Sequence, residues 1–260
     1  MKFQSELDFA KKQALLACLM MQSPPKDIKE KSPGNFVTDL DLRIEQGFAL
    51  ALAMQFPLDR LHGEEFGRYG SITTSRRWWL DPIDGTKSFI EGKTRHAFVA
   101  ALHEHADEIP PLGEQSGQVG VIAFPSDNTL YSAIRGDGLW CNQKRVPDLP
   151  SYQGKEKQLR LGTFTRFWAE RFGWSSLYDK LGEKFQLVEL DNCADNLRRV
   201  IHQDLDACLE IGMPPWDACC HELFISEVSG KHAYIKWDEN IVTHLHGKPG
   251  AFEAVLAEIQ

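Results

Sequence analysis

The sequence predicts a layered α/β protein, and three observations carry that reading. After Pro150 strand-like and helix-like segments alternate, the pattern of stacked α and β layers. The stretch from Ala97 to Trp140 is rich in short apolar runs split by turn residues, which reads as a sheet. Two helical patterns precede it in the first 56 residues.

The first helix spans about residues 5–22 and stops at Ser23-Pro24-Pro25. Residues 26–35 are polar, contain Pro33-Gly34 and read as a loop. Phe36-Val37-Thr38 is a short strand feeding a helix from about Leu40 to Phe56. There Leu40, Ile44, Phe48 and Leu52 recur every four residues. Trp78-Trp79-Leu80 reads as a buried strand ending at Asp81-Pro82, where the chain stays extended before proline. Further strands are expected at 97–103, 118–124, 129–134 and 139–140. Beyond Pro150 come strand 159–163, helix 165–181, strand 185–190, helix 193–203, strand 206–211 and helix 217–229. The change of pattern near 150 predicts one domain over 1–260, with subdomains of about 1–150 and 151–260 and no flexible linker.

Composition excludes several classes. With 29 Lys and Arg against 37 Asp and Glu, the net charge is −8, which argues against a nucleic-acid polymer or an anionic membrane as partner. A small anionic substrate stays possible where a metal ion inverts the local field. No apolar run is long enough for a transmembrane helix, and the amino terminus lacks a signal-peptide pattern. The six cysteines form no C-x-x-C pair, so a reducing cytoplasm is the expectation.

The informative segment is Asp81-Pro82-Ile83-Asp84-Gly85-Thr86. It can turn two carboxylates and the Ile83 carbonyl toward one pocket, the oxygen donors that hard cations prefer. Gly85-Thr86 can then open a helix facing a phosphate. A turn with a capping aspartate explains the motif equally well on its own. Gly63-Glu64-Glu65, Thr38-Asp39-Leu40-Asp41 and Trp216-Asp217 add acidic residues, each explicable alone as a solvated pair or a cap.

Taken together, these segments resemble the inositol monophosphatase family, a branch of the Mg2+-dependent, lithium-sensitive phosphatases, from about Val37 to Gly230. The resemblance implies an αβαβα sandwich and hydrolysis of a small phosphomonoester by activated water. It implies metal ligands at Glu64, Asp81, the Ile83 carbonyl, Asp84 and Asp217, for two or three Mg2+ ions. Mn2+ is an alternative ion and Li+ an inhibitor. It places Asp41 and Thr86 beside the attacking water, with Glu64 also in the catalytic set. The Gly85 and Thr86 amides would hold phosphate, and Glu210 would contact the leaving group. Glu65 matches an acidic neighbouring position, and Asp39 is expected to cap the helix that follows. A homodimer is the expected assembly.

The run Asp84-Gly85-Thr86-Lys87-Ser88-Phe89 and Pro215 before Trp216 look more like the histidinol-phosphate phosphatase subgroup. A substrate amine would suit Glu210 and Asp195, so histidinol phosphate is the expected substrate, with inositol 1-phosphate or another polyol or sugar phosphate as rival. A 3′-phosphoadenosine nucleotide is more distant, since no aromatic platform for a base is evident. A non-catalytic association module on the same fold is the alternative of another class. The chain also departs from the family: Asp191-Asn192-Cys193-Ala194-Asp195 replaces a loop of small residues, and Cys219-Cys220-His221-Glu222 is bulkier than usual. His103 with His105, and His244 with His246, share strand faces but have no evident third ligand, so exposed or capped rings are expected. Arg198-Arg199 reads as a solvated helix face, and Trp168, Trp174 and Trp237 as packing residues.

Overall fold

The computed structural model describes residues 2–70, 74–105, 115–189, 192–237 and 241–259, with nothing described of the Trp237 side chain. Two helices cover one outer face. They are α1 (Gln4–Met20) and α2 (Asp39–Gln55), which pack Phe9 and Phe48 edge-on against Trp78. Between them lies a hairpin of β1 (Ile28–Ser32) and β2 (Asn35–Thr38), turned at Gly34 with φ 80°. Residues 26–35 are therefore not all loop. Every residue of β1 is exposed, so no apolar alternation marks it.

The first sheet contains β3 (Arg60–Gly63), β4 (Gly67–Tyr69), β5 (Arg76–Asp84), β6 (Ala97–Glu104), β7 (Gly117–Phe124), β8 (Thr129–Ile134), β9 (Leu139–Cys141) and β10 (Lys144–Arg145). Their spatial order is β10-β9-β8-β7-β6-β5-β3-β4. The second sheet contains β11 (Arg160–Thr163), β12 (Gln186–Glu189), β13 (Ala207–Met213), β14 (Lys231–Trp237) and β15 (Val242–Gly247), ordered β12-β11-β13-β15-β14.

A short helix, α3 (Thr86–Ile90), follows β5. The outer face of the second sheet is covered by α4 (Arg166–Arg171), α5 (Ser175–Lys184) and α9 (Ala251–Ile259), over Leu161, Leu209 and Leu245. Between the sheets lie α6 (Cys193–Ile201), α7 (Pro215–Ala218) and α8 (His221–Ser226). The layers thus run α, β, α, β, α. No helix among the described residues is long and apolar enough to cross a membrane.

Two expected long helices are each broken. The 165–181 segment divides where Gly173 takes φ 74°. The Trp174 N–H reaches the Ala169 carbonyl and the Gly173 N–H the Glu170 carbonyl, a Schellman stop. The 217–229 segment divides at Cys219, whose carbonyl faces His103 Nε2 at 2.8 Å. His103 Nδ1 meets Ser116 Oγ, so this ring is a satisfied core histidine.

Candidate active site

The site forms where β3 and β5, parallel neighbours, end side by side. Gly63 pairs with Leu80, and the Glu64 N–H donates to the Leu80 carbonyl at 3.1 Å. Glu64 is thereby set beside Asp81. Two carboxylates three residues apart on a regular strand would face opposite ways, because side chains alternate. Here Asp81 pairs with Val99 but Asp84 with Ala97, so three steps of β5 oppose two of β6. That one-residue bulge returns both carboxylates to one side. Asp81 Oδ1 accepts the Ile83 N–H at 2.9 Å, which fixes the turn.

Asp41 sits one turn inside α2, fully buried. It completes a capping box: Thr38 is the cap residue, and Asp41 Oδ2 accepts the Thr38 N–H and hydroxyl at 2.8 and 2.5 Å. Asp39 is not the cap. Its Oδ1 accepts the Lys26 and Asp27 N–H groups and ties down the chain before β1. Thr86 Oγ1 lies 3.0 Å from the Ile83 carbonyl and 3.4 Å from Asp41 Oδ1. Asp41, Ile83 and Thr86 are thus one contact group. Gly85 precedes α3 at φ 81°, and a Cβ there would stand 2.3 Å from Asn192 Nδ2, so glycine is the residue that fits.

Asp217 arrives on α7 from the second half of the chain. Ligand atoms of Asp84, Cys193 and Asp217 lie within 4.8 Å of one another. The Ala194 N–H donates to Asp84 Oδ2 at 2.7 Å, and Cys193 Sγ approaches Asp217 Oδ2 at 3.6 Å. Burial, the largest effect, pushes the carboxyls of Asp81 and Asp217 well above the usual range. Each is raised further by Glu64 and Asp84, and Asp81 also by Asp217 and Asp41. Burial likewise lifts Asp84 to about 7, against the pull of the Ala194 amide, with Glu210 and Glu64 adding repulsion. Asp41 also rises to about 7, through burial first, with Thr38 opposing and Glu64 and Glu65 adding. Buried carboxyls raised by burial and by acidic neighbours, with the Ile83 carbonyl beside them, are a donor set that fits hard divalent cations.

Two residues of the site are not evident in the sequence, and a third is more than the packing residue expected. Lys31 on β1 bridges Glu64 at 2.8 Å and Glu65 at 2.9 Å. Partial burial pulls its ammonium down, but the two carboxylates more than offset this and raise it. Glu45, fully buried, accepts the Glu65 and Phe66 N–H groups at 2.8 and 2.9 Å and shapes the Glu64 turn. It follows Asp41 by one helical turn beside the apolar stripe of α2, and that misplaced charge was its signal. Trp168, the third, is on the cleft wall.

The leaving-group side is a cleft of about 270 Å³ between Asp217 and an aromatic wall. Phe164, Trp168 and Phe172 line it with Cys193, Asn196 and Glu210. Trp168 and Phe172 stack with centroids 5.7 Å apart and planes 18° apart. Trp168 is thus a wall of the cleft and not only packing. Glu210 Oε1 accepts from Asn196 Nδ2 at 2.8 Å. Asp195, expected beside Glu210, faces another cavity and takes two N–H groups of Arg198, at 3.1 and 2.6 Å. On α6 it points a different way from Asn196, its neighbour. Arg198 is correspondingly tied down, stacked over Phe124 at 4.0 Å. Asp191 lies outside the described residues.

Comparison with known proteins bears on this site. Residues 5–251 match the model of the inositol monophosphatase family. A histidinol-phosphatase of Chlorobaculum parvum is 39% identical over 110 residues, 42% of this chain and 39% of that protein. The chain therefore aligns with about two fifths of that relative's length. The Nus factor SuhB of Salmonella typhimurium is 26% identical over 250 residues, 90% of this chain and 86% of that one. A crystal structure of an IMPase/NADP phosphatase complexed with Mg2+ and phosphate shares the fold at TM-score 0.77. It is 19% identical and covers 97% of this chain and 92% of its own. With nearly its whole length matched by one family model and its fold shared with that phosphatase, the chain belongs to the inositol monophosphatase family of phosphatases.

Proposed function

We propose that the chain is a Mg2+-dependent phosphomonoesterase whose substrate is histidinol phosphate. One observation carries the hydrolytic reading: the buried carboxyls of Asp81, Asp84 and Asp217, each raised by burial and by acidic neighbours, with Asp217 lining an open cleft. Glu64, Asp81, the Ile83 carbonyl, Asp84 and Asp217 would hold two or three Mg2+ ions. When bound, the cation neutralises these carboxylates, polarises the phosphoryl oxygens and acidifies water.

The chain's own groups do the rest. Thr86 Oγ and Asp41 orient the attacking water, and Asp41 holds its proton as the P–O bond forms. The Gly85 and Thr86 amides steady the phosphoryl oxygens. The ester P–O bond breaks on the opposite side, and the departing alkoxide takes a proton from solvent. Phosphate and alcohol are the products, and no group on the chain is phosphorylated.

The substrate reading draws on the cleft wall. Stacked Trp168 and Phe172 suit a planar ring, and Glu210 suits a protonated amine; histidinol phosphate carries both. The partial histidinol-phosphatase relative supports the same choice. Inositol 1-phosphate has no flat face and uses this wall less well. A homodimer in a reducing compartment belongs to the proposal, and six free cysteines agree with that compartment. Protein association, the second reading, takes its support from the Nus factor relative; the retained carboxylate set argues for hydrolysis.

The test is phosphate release from histidinol phosphate, inositol 1-phosphate, 3′-phosphoadenosine 5′-phosphate and fructose 1,6-bisphosphate, with and without Mg2+. Histidinol phosphate is expected to lead by kcat/KM, with release lost on chelation. Release from none of the four by folded, Mg2+-loaded protein would move association to first place.

A further inference from the structure

The inner face of the second sheet is buried between that sheet and the middle helices, where apolar side chains would be expected. Instead, register gathers polar groups there. Cys208 pairs with His246 and Glu210 with His244 across β13 and β15, while His232 pairs with His246 across β14 and β15. Alternation puts these side chains on one face. Leu209 and Leu245 point the other way, into the outer core. His221 on α8 closes over the group, its ring centroid 5.2 Å from that of His246 and 5.7 Å from that of His244.

The rings are not packed as ordinary core histidines. His221, His244 and His246 are fully buried, and both ring nitrogens of each lack a hydrogen-bond partner. His103 in the same protein shows the contrast, with both of its nitrogens engaged. An orphaned buried polar atom costs roughly 1–3 kcal/mol, and phenylalanine would fill the same space without that cost. Glu210 Oε2 is also without a hydrogen bond. It lies 2.9 Å from His221 Nε2 and 3.9 Å from His246 Nδ1, but lacks the alignment a hydrogen bond needs. Cys208 Sγ, a Glu210 oxygen and a His246 ring nitrogen lie within 4.8 Å of one another. Around a tetrahedral ion with bonds of about 2.0–2.3 Å, donors stand roughly 3.3–3.8 Å apart, so small side-chain rotations close the set.

We infer that Cys208, Glu210 and His246, with His221 Nε2 at 2.9 Å from Glu210 Oε2 as the fourth ligand to close in, form a second metal site, for a borderline first-row divalent ion such as Zn2+. Sulfur and nitrogen donors disfavour Mg2+ and favour this class. Asn196 orients the first oxygen of Glu210 and leaves the second to the ion. Burial holds His246 neutral, the form that ligates. It also keeps the Cys208 thiol protonated until an ion displaces the proton. Glu210 lines the open cleft as well, which provides an entry path. The ion would sit behind the leaving-group pocket and fix Glu210 as part of its wall. This inference does not rest on the substrate proposed above.

The experiment uses the full chain carrying Asp81→Asn and Asp84→Asn, so that the Mg2+ site cannot mask the result. Purified protein is loaded with Zn2+, dialysed against excess Mg2+, and its zinc counted by mass spectrometry. One zinc per chain is expected, falling to near zero with His246→Gln or Cys208→Ala. Zinc that is absent after dialysis, or unchanged in both folded variants, overturns the site. Co2+ loading of the parent protein gives a readout that needs no second-site variant. A thiolate-to-cobalt charge-transfer band with tetrahedral visible bands is expected, and a spectrum without sulfur ligation overturns the Cys208 assignment.

Discussion

Asp84 accepts the backbone N–H of Ala194 at 2.7 Å, and this hydrogen bond joins the bulge of β5 to the start of α6. A carboxyl from the first half of the chain is thus positioned by the first turn of the helix that borders the leaving-group cleft. Asp84→Asn separates its two roles. The amide oxygen can still accept from Ala194, so the joint survives. The negative charge does not. Phosphate release is expected to fall by at least about 10²–10³-fold. Metal-free protein at pH 8 should instead melt higher, by roughly 2–4 °C for each kcal/mol of repulsion removed. Lost activity with unchanged or lowered melting would contradict the electrostatic account of Asp84.

Asp41, Glu45 and Asp84 are each lifted to about 7, burial being the largest cause. Glu64 repels all three, Glu65 repels Asp41 and Glu45, and Lys31 is paired with both of these acids. The sign follows from proton uptake. Between about pH 4 and 7 the folded chain holds protons that the unfolded chain has released. Stability of the metal-free protein is therefore full below about pH 4, as far as these groups decide it, and falls as pH rises to 7. Mg2+ should oppose that fall. Scanning calorimetry with chelator should show the melting temperature dropping from pH 5 to pH 8, and a larger gain on adding Mg2+ at pH 8 than at pH 5. An equal Mg2+ gain at both would disconnect these carboxyls from the cation.

Most of this site was legible because its signal is local. Asp81 and Asp84 sit three residues apart with proline between, and Asp41 and Gly85 follow a strand-to-helix junction and a turn, although the cap is Thr38 where the sequence points to Asp39. What stayed hidden depends on register between distant strands. Lys31 reaches Glu64 across 33 residues from a hairpin whose exposed strand has no apolar rhythm. In the sequence His244 and His246 share a strand face with no third ligand evident. Cys208, Glu210 and His221 join them only through the β13–β15 pairing and the placement of α8. Asp195 shows the converse limit. Adjacent helix residues differ by about 100° in direction, so nearness in sequence to Asn196 put it in a different cavity.

Gly85→Ala tests the close approach at the head of α3. The position takes φ 81°, and the added Cβ would lie 2.3 Å from Asn192 Nδ2 and 2.8 Å from the Arg95 carbonyl. Left-handed strain costs about 1–2 kcal/mol for a non-glycine residue, and the backbone contact cannot yield as a flexible side chain would. Urea unfolding should show a loss of at least about 1 kcal/mol at unchanged slope. Activity should fall further than stability predicts, because the displaced groups are the Gly85 and Thr86 amides. A variant of full stability and activity would show that the loop relaxes and the phosphate contacts lie elsewhere.

Trp168→Ala tests the cleft wall with little risk to folding, since the ring is 37% exposed. Its stacking partner Phe172 packs behind it and also touches the bulge of β13: a Cβ at Gly212 would meet the Phe172 ring at 2.4 Å. The wall is therefore anchored, and removing Trp168 removes a surface, not a support. An aromatic pair contributes about 0.5–1.5 kcal/mol beyond its area, so KM for histidinol phosphate should rise about 3–10-fold. The kcat should hold, because the carboxyl cluster does not touch the ring. Inositol 1-phosphate, lacking a planar face, should change by less than about twofold in kcat/KM. Parallel losses on both substrates would mean that the wall serves the cleft's shape and does not read an imidazole.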